Sequence, residues 1–480
     1  MLTRIANEDS RLSFWLRVRE FAVPASMIET ATARRRAGDW AGACAAAGVD
    51  VDLDLRAVAR AYGRAFVSLL RSDLRHLAPD LLRWHMPRVA PDGLLRPGVT
   101  VSLARYEVDA AVGDAGRDDT RWPVHLVVRT PPAWADAGQR VSLGLWDGSR
   151  GDHPHPHPRP SRRFRFDLHR HLWDARRADE LRTRSGDGAG DTLLDHELPV
   201  PDGRRCAVDR WADEAAILLR ADGATGPDGT VLVRLGGRRR LVLGLELGLG
   251  GEPSASRITA VSTRSGGGTD LPVLPDAATW VPPDLELIRA GAIDVGLLHP
   301  LVASALVPDR APPIGPFPSP SLSPSPASAG ERGGGQPHLV ECRGERHRIG
   351  LVDGVLAALD HDPDEIRREE LLVALTGTPL PCLRAIDDAH RRPDCLTGVR
   401  DRLVHGDIAG ALAVVEGLLG PDATLREGAL RDELLAAARR RITYGLFRAG
   451  LAGPGPGRVL PGPVRRPSHR SRPRHTFLAR

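Results

Sequence analysis

The chain of 480 residues sets 66 basic side chains against 61 acidic ones, and every basic one is arginine because the chain has no lysine. That removes the P-loop lysine, the strand lysine of a protein kinase and every Schiff-base lysine; G-x-S-x-G and H-E-x-x-H are missing too, so the common hydrolase, protease, kinase and NTPase signatures are excluded. The net charge of +5 is an end effect: residues 458–480 hold seven arginines and no acid, which leaves 5 − 7 = −2 for the remainder, so no basic nucleic-acid face is expected within the folded part.

Residues 1–95 read as a helical N-terminal region. Glu8 and Asp9 fall where a signal peptide would need an apolar stretch, and nowhere do eighteen apolar residues run together, so the expectation is a cytoplasmic protein without a membrane partner. Ser10–Phe21 and Ala25–Ala37 are amphipathic helices, Gly38 stops the second and Asp39 caps the next. From Leu55 the apolar positions Val58, Tyr62, Phe66, Leu69 and Leu70 recur at helical spacing, which predicts one long helix. Asp50, Asp52 and Asp54 suggest the opening of a calcium loop, but Leu55 and Ala61 stand where that loop needs its glycine and its last carboxylate, so a helix-capping acidic turn is the reading.

Residues 96–307 change period and predict an α+β domain packed with the N-terminal helices. Val99–Tyr106, Val124–Arg129, Val141–Trp146, Phe164–Leu168, Val231–Leu235, Leu241–Leu247 and Arg257–Thr263 read as strands of a mostly antiparallel sheet. Helices are expected at Trp173–Arg184, Asp209–Arg220, Asp284–Ala290 and near His299–Leu306. His153, His155 and His157 alternate with prolines and read as a biased loop. Residues 308–337 contain nineteen Pro, Ser or Gly in thirty positions and read as a disordered linker. Beyond it, 338–453 predicts a small β-meander plus a helical domain, and 454–480 a disordered arginine-rich tail.

The candidate chemistry lies after the linker. The five cysteines are scattered, which argues for thiols rather than a disulfide framework. Cys342, His347, Cys382, His390 and Cys395 offer the thiolate and imidazole donors that zinc prefers, with His361 and His405 nearby in sequence, although no C-x-x-C spacing is present. The same residues could supply a Cys-His nucleophile pair. The run Asp360-His361-Asp362-Pro363 is assigned wholly to helix capping. In the tail, Arg465, Arg466, Arg470, Arg472 and Arg474 form an unopposed cationic run suited to nucleic acid or an acidic partner. One internal echo stands out, GDWAGACA at 38–45 and GDIAGALA at 406–413, without a repeat period.

The stretches FAVPASMIETATARRRAGDWAGACAAA, DLRHLAPDLLRWHMPR and RRRITYGLFRAGL resemble a family of uncharacterised proteins from high-GC actinobacterial genomes. The resemblance implies company with AAA+ ATPases and von Willebrand-type partners and carries no catalytic residue. The leading expectation is therefore a non-enzymatic protein-protein interaction or scaffold component of an ATPase-associated system. The alternatives are a metal- or thiol-dependent enzyme centred on the Cys and His residues, and a nucleic-acid accessory acting through the tail.

Overall fold

The computed structural model describes residues 11–107, 123–148, 155–186, 204–224, 226, 228–237, 239–247, 256–263, 271–309, 338–342, 344–352, 355–376, 380–391, 396–419 and 427–453. The Pro/Ser/Gly stretch from 310 and the arginine-rich tail from 454 lie outside them. The class is α+β, as composition and periodicity predict. A helix over 11–17 widens into a π-turn at Val18–Ala22. Then come α1 (Ala25–Arg36), α2 (Trp40–Ala46), β1 (Val49–Val51), α3 (Leu55–His76) and α4 (Pro79–His85). Asp39 caps α2 through Gly42 N at 2.8 Å, and Asp54 caps α3 through Arg56 N at 2.9 Å. Gly63, at φ 85°, kinks α3.

The first sheet contains β1, β4 (Thr100–Tyr106), β5 (Val124–Arg129) and β6 (Val141–Trp146) in the order β1-β6-β5-β4; the small hairpin β2 (Arg88–Val89) and β3 (Leu94–Leu95) stands apart. Its β1–β6 pair is parallel, so the N-terminal region is not purely helical and this sheet is mixed. Three residues between two helices show no alternation, which hid β1 from the sequence. Helices α3 and α4 pack the sheet into the main core, where Leu70, Leu74, Leu81, Leu103, Leu126, Leu143 and Trp173 are fully buried. Phe164–Leu168 does not form a strand: it runs beside β4 with an isolated bridge between Ser102 and Arg165, burying Phe164 and Phe166 in turns. The helix expected at Trp173–Arg184 is broken as well, with 3-10 turns at Arg170–Leu172 and Ala178–Glu180 before a short α5 (Leu181–Arg184). Asp174 accepts from Arg170 and Arg176, which holds the chain in turns.

A second core forms where α6 (Val208–Ala221) covers β7 (Asp228–Gly236), β8 (Arg239–Glu246) and β9 (Arg257–Thr263), an antiparallel meander. Short helices α7 (Asp276–Thr279), α8 (Pro283–Arg289) and α9 (Pro300–Leu306) follow. After the linker come β10 (His338–Cys342), β11 (Glu345–Val352) and β12 (Val355–Ala358), then α10 (Pro363–Thr376), α11 (Pro381–Arg391), α12 (Leu396–His405), α13 (Ile408–Leu419) and α14 (Ala429–Arg448).

The helix α12, with the turn that follows it, and the helix α14 dock on the residues before the linker. Arg83 is 2 % exposed and its guanidinium donates to the backbone oxygens of Ala22 (2.9 Å), Gln139 (2.6 Å) and His405 (2.8 Å). Gln139 sits at φ 60°, a region costly for a side chain, and is held there by Asp136, which accepts from its N and Nε2. Gly406, at φ 89°, lies so close to Gly138 that a Cβ on it would stand 2.0 Å from the Gly138 oxygen, so only glycine fits this contact. On the far side Asp50 accepts from Arg140 Nε (3.1 Å) and from the Tyr444 hydroxyl (2.6 Å), while Arg448 reaches Asp52. Of the three aspartates read as a capping turn, only Asp54 caps; Asp50 and Asp52 serve this docking. His155, read as loop, is buried and its Nε2 lies 2.9 Å from the Thr130 oxygen.

Arg83→Met should lower stability in urea by on the order of 3 kcal/mol, because three buried carbonyls lose their donor, and Arg83→Lys should recover only part of it because an ammonium cannot reach three divergent acceptors. Two variants that unfold with the parent would refute the role assigned to Arg83. His405 stacks on Phe21 at 6.3 Å, and burial, together with the arginines Arg88, Arg83 and Arg17, pulls its pKa down to about 3. The unfolded chain therefore binds a proton that the folded one refuses, so stability falls as pH drops below about 6.5, by about 2 kcal/mol at pH 5 from this group. Denaturation of His405→Gln at pH 7 and pH 5 checks this: the variant should lose less on acidification than the parent.

Candidate metal centre

Four side chains from four segments converge in the meander. Cys342 closes β10 and faces Glu345 across the hairpin, while His347 faces Val340. Paired residues share a face and so do residues two apart, which puts Cys342 and His347 on the same side of the sheet. The chain then turns out of β12 through Leu359, whose N bonds Arg348 O at 2.8 Å. Asp360 accepts from the Arg348 backbone N (2.7 Å) and from its guanidinium (2.6 Å), and this pairing holds the Asp360 carboxyl at about 2, the Arg348 side-chain bond being the main cause. The turn so fixed presents His361, after which Asp362 accepts from Asp364 N at 2.9 Å at the start of α10. Cys382 is the second residue of α11, which Pro381 opens and which packs Leu380, Cys382 and Ile386 against Cys342, Ile349 and Ala358.

One ligand atom from each of Cys342, His347, His361 and Cys382 lies within 4.8 Å of all the others. Tetrahedral zinc with sulfur at about 2.3 Å and nitrogen at about 2.0–2.1 Å needs donors roughly 3.3–3.8 Å apart, so the four can surround one ion once the two imidazole nitrogens, 2.6 Å apart, separate by about 0.7 Å. Both cysteines are fully buried and His361 is 9 % exposed. His347 Nδ1 and His361 Nε2 point at each other across 2.6 Å. Their outer nitrogens face carboxylates, His347 Nε2 toward Glu345 at 3.7 Å and His361 Nδ1 toward Glu365 at 3.6 Å. A carboxylate behind the outer ring nitrogen is the usual support of a metal-bound imidazole. Burial and the neighbouring Cys342 thiol push Cys382 up to about 11, so the metal-free site holds this thiol protonated, and a metal would have to displace that proton.

Of the five residues singled out in the sequence, Cys342, His347 and Cys382 belong to this cluster. His390 lies eight residues past Cys382 on α11, roughly 12 Å of helical rise away, and Cys395 lies outside the described residues. His405 belongs to the junction instead. The fourth member is His361, which the sequence places in a capping turn. Asp362 does the capping while its neighbour points the other way, and the signal for that was the imidazole's position one turn beyond a hairpin that already carries Cys342 and His347. The tail arginines Arg465, Arg466, Arg470, Arg472 and Arg474 lie outside the described residues. Among the described residues no helix is long and apolar enough to cross a membrane. Comparison with family models, curated proteins and solved structures returns no match.

Proposed function

We propose that Cys342, His347, His361 and Cys382 hold one structural zinc ion, and that the protein is a non-enzymatic interaction component in which this zinc-stapled meander is a rigid recognition module. The observation that carries the reading is the convergence of two buried thiols and two imidazoles, each imidazole backed by a carboxylate. Sulfur and imidazole donors select zinc over calcium or magnesium, and four protein ligands leave no open position for a substrate or a metal-bound water. A thiol nucleophile would need a depressed pKa and access, whereas Cys382 is buried and raised. The resemblance of the helical stretches ranks a AAA+ ATPase component first among partners, and the cytoplasm as the place to look for it.

Metal analysis of the full chain tests the reading. One zinc per chain is expected, and cobalt substitution should give the charge-transfer and ligand-field bands of a tetrahedral thiolate site. The Cys342→Ser/Cys382→Ser double variant should lose both, while Cys44→Ser/Cys206→Ser should keep them. Zinc content unchanged in the first variant, or a metal-free chain with no cobalt spectrum, would remove the proposal. An interaction role further requires that a native mass spectrum of the chain from its own cells carry a protein partner's mass that the double variant lacks.

A further inference from the structure

A cavity of about 620 Å³ opens in the part of the chain before the linker, away from the Cys and His cluster, within the usual size range for small-molecule sites. Among the described residues six arginines line it, Arg11, Arg88, Arg96, Arg163, Arg184 and Arg204, with Asp276 as the acidic member. Three are neutralised: Arg163 by Asp276 (2.5 Å), Arg184 by Glu214 (2.5 Å) and Arg11 by Glu286 (2.9 Å). The other three have no carboxylate within ion-pair distance among the described residues. Arg88 gives its terminal nitrogens to the backbone oxygens of Gly93 and Arg83, both at 2.7 Å, and its Nε is buried without a partner. Arg204 Cζ lies over the Trp280 ring, 3.9 Å from its centroid, and burial followed by the charge of Arg11 draws the Arg204 pKa down to about 10. Arg96 stands on the same wall.

Three uncompensated guanidiniums around one cavity are costly unless an anion completes the site. Two further polar atoms there lack partners among the described residues, His171 Nδ1 and Trp280 Nε1, and these residues are 4 % and 5 % exposed. Aromatic side chains also line the cavity, with Phe14, Trp15, Phe164, Phe166 and Trp280. Planar forks that match phosphate oxygens, set beside aromatic faces that match a planar ring, define the ligand class. We propose that this cavity binds a nucleotide-like phosphate ester, its phosphates held by Arg96 and Arg204, with Arg88 Nε as a further donor, and its ring held among the aromatic side chains. Arginine is about one residue in seven of the chain, and its share of this lining is about twice that, so the arrangement exceeds what composition supplies.

Isothermal titration of the full chain with adenosine diphosphate, pyrophosphate and adenosine tests it. Saturable binding of the diphosphate is expected, weaker binding of pyrophosphate and none of adenosine. Arg96→Gln and Arg204→Gln should each weaken the diphosphate at least about tenfold. The thermal midpoint of the unliganded protein should hold or rise in both, since each change relieves unpaired positive charge. Replacing Arg470, Arg472 and Arg474 with Gln should leave the affinity unchanged. The proposal is overturned if neither phosphate compound binds at millimolar concentration, if the two cavity variants bind like the parent, or if the tail variant removes the binding.

Discussion

A single buried guanidinium joins the parts of this chain. Among the described residues Arg83 has no acidic partner in hydrogen-bonding contact; it spreads its donors over backbone oxygens from the π-turn, from the loop before β6 and from the end of α12. An arginine suits this because its donors diverge within one rigid plane. Burying the charge is unfavourable, and Asp136 offsets part of that cost at longer range while burial pulls the Arg83 pKa down to about 10. Segments far apart in sequence are therefore mutually dependent: the Gln139 backbone, the Gly138–Gly406 contact and the His405–Phe21 stack all sit within the reach of one side chain.

The GD echo acquires a physical meaning in the same region. At both copies the aspartate N bonds the carbonyl of an arginine five residues earlier, Arg34 (2.9 Å) and Arg402 (2.8 Å), and that arginine's side chain returns to the aspartate at 3.1 and 2.7 Å. Gly38 and Gly406 both carry positive φ, and Asp39 and Asp407 each cap a small-residue helix. The pattern R-x-x-x-G-D-x-x-G-A thus encodes one helix-turn-helix device used twice, with local turn chemistry as its cause and no solenoid implied.

What the sequence made legible follows the same division between local and distant causes. Caps, stops and alternating strands are decided by neighbours, so α1, α2, β5, β6 and the meander β10–β12 stand close to where periodicity put them. β1 was invisible because three residues have no period, and Phe164–Leu168 looked like a strand because alternating Phe164 and Phe166 are buried there without a ladder. The metal cluster was partly legible: residue type picked Cys342, His347 and Cys382, but pairing them with His361 required the register of a hairpin and the direction of a turn. The arginine cavity was not legible at all, since its six cations come from segments spread between residues 11 and 204 and only folding selects them from 66.

The borders of the first sheet bear on how this protein meets others. β4 is flanked by the 161–167 segment, whose backbone bonds Thr100 and Ser102, and β1 carries the Asp50 that Tyr444 and Arg448 engage from α14. A sheet border left open is a template on which another chain can add a strand. Here one border is occupied by the protein's own loop and the other is overlaid by the helix most distant from it in sequence. Loss of that last helix would do more than remove a few ion pairs: it would strip from β1 the contacts that Tyr444 and Arg448 make to Asp50 and Asp52, at a margin where another chain could add a strand.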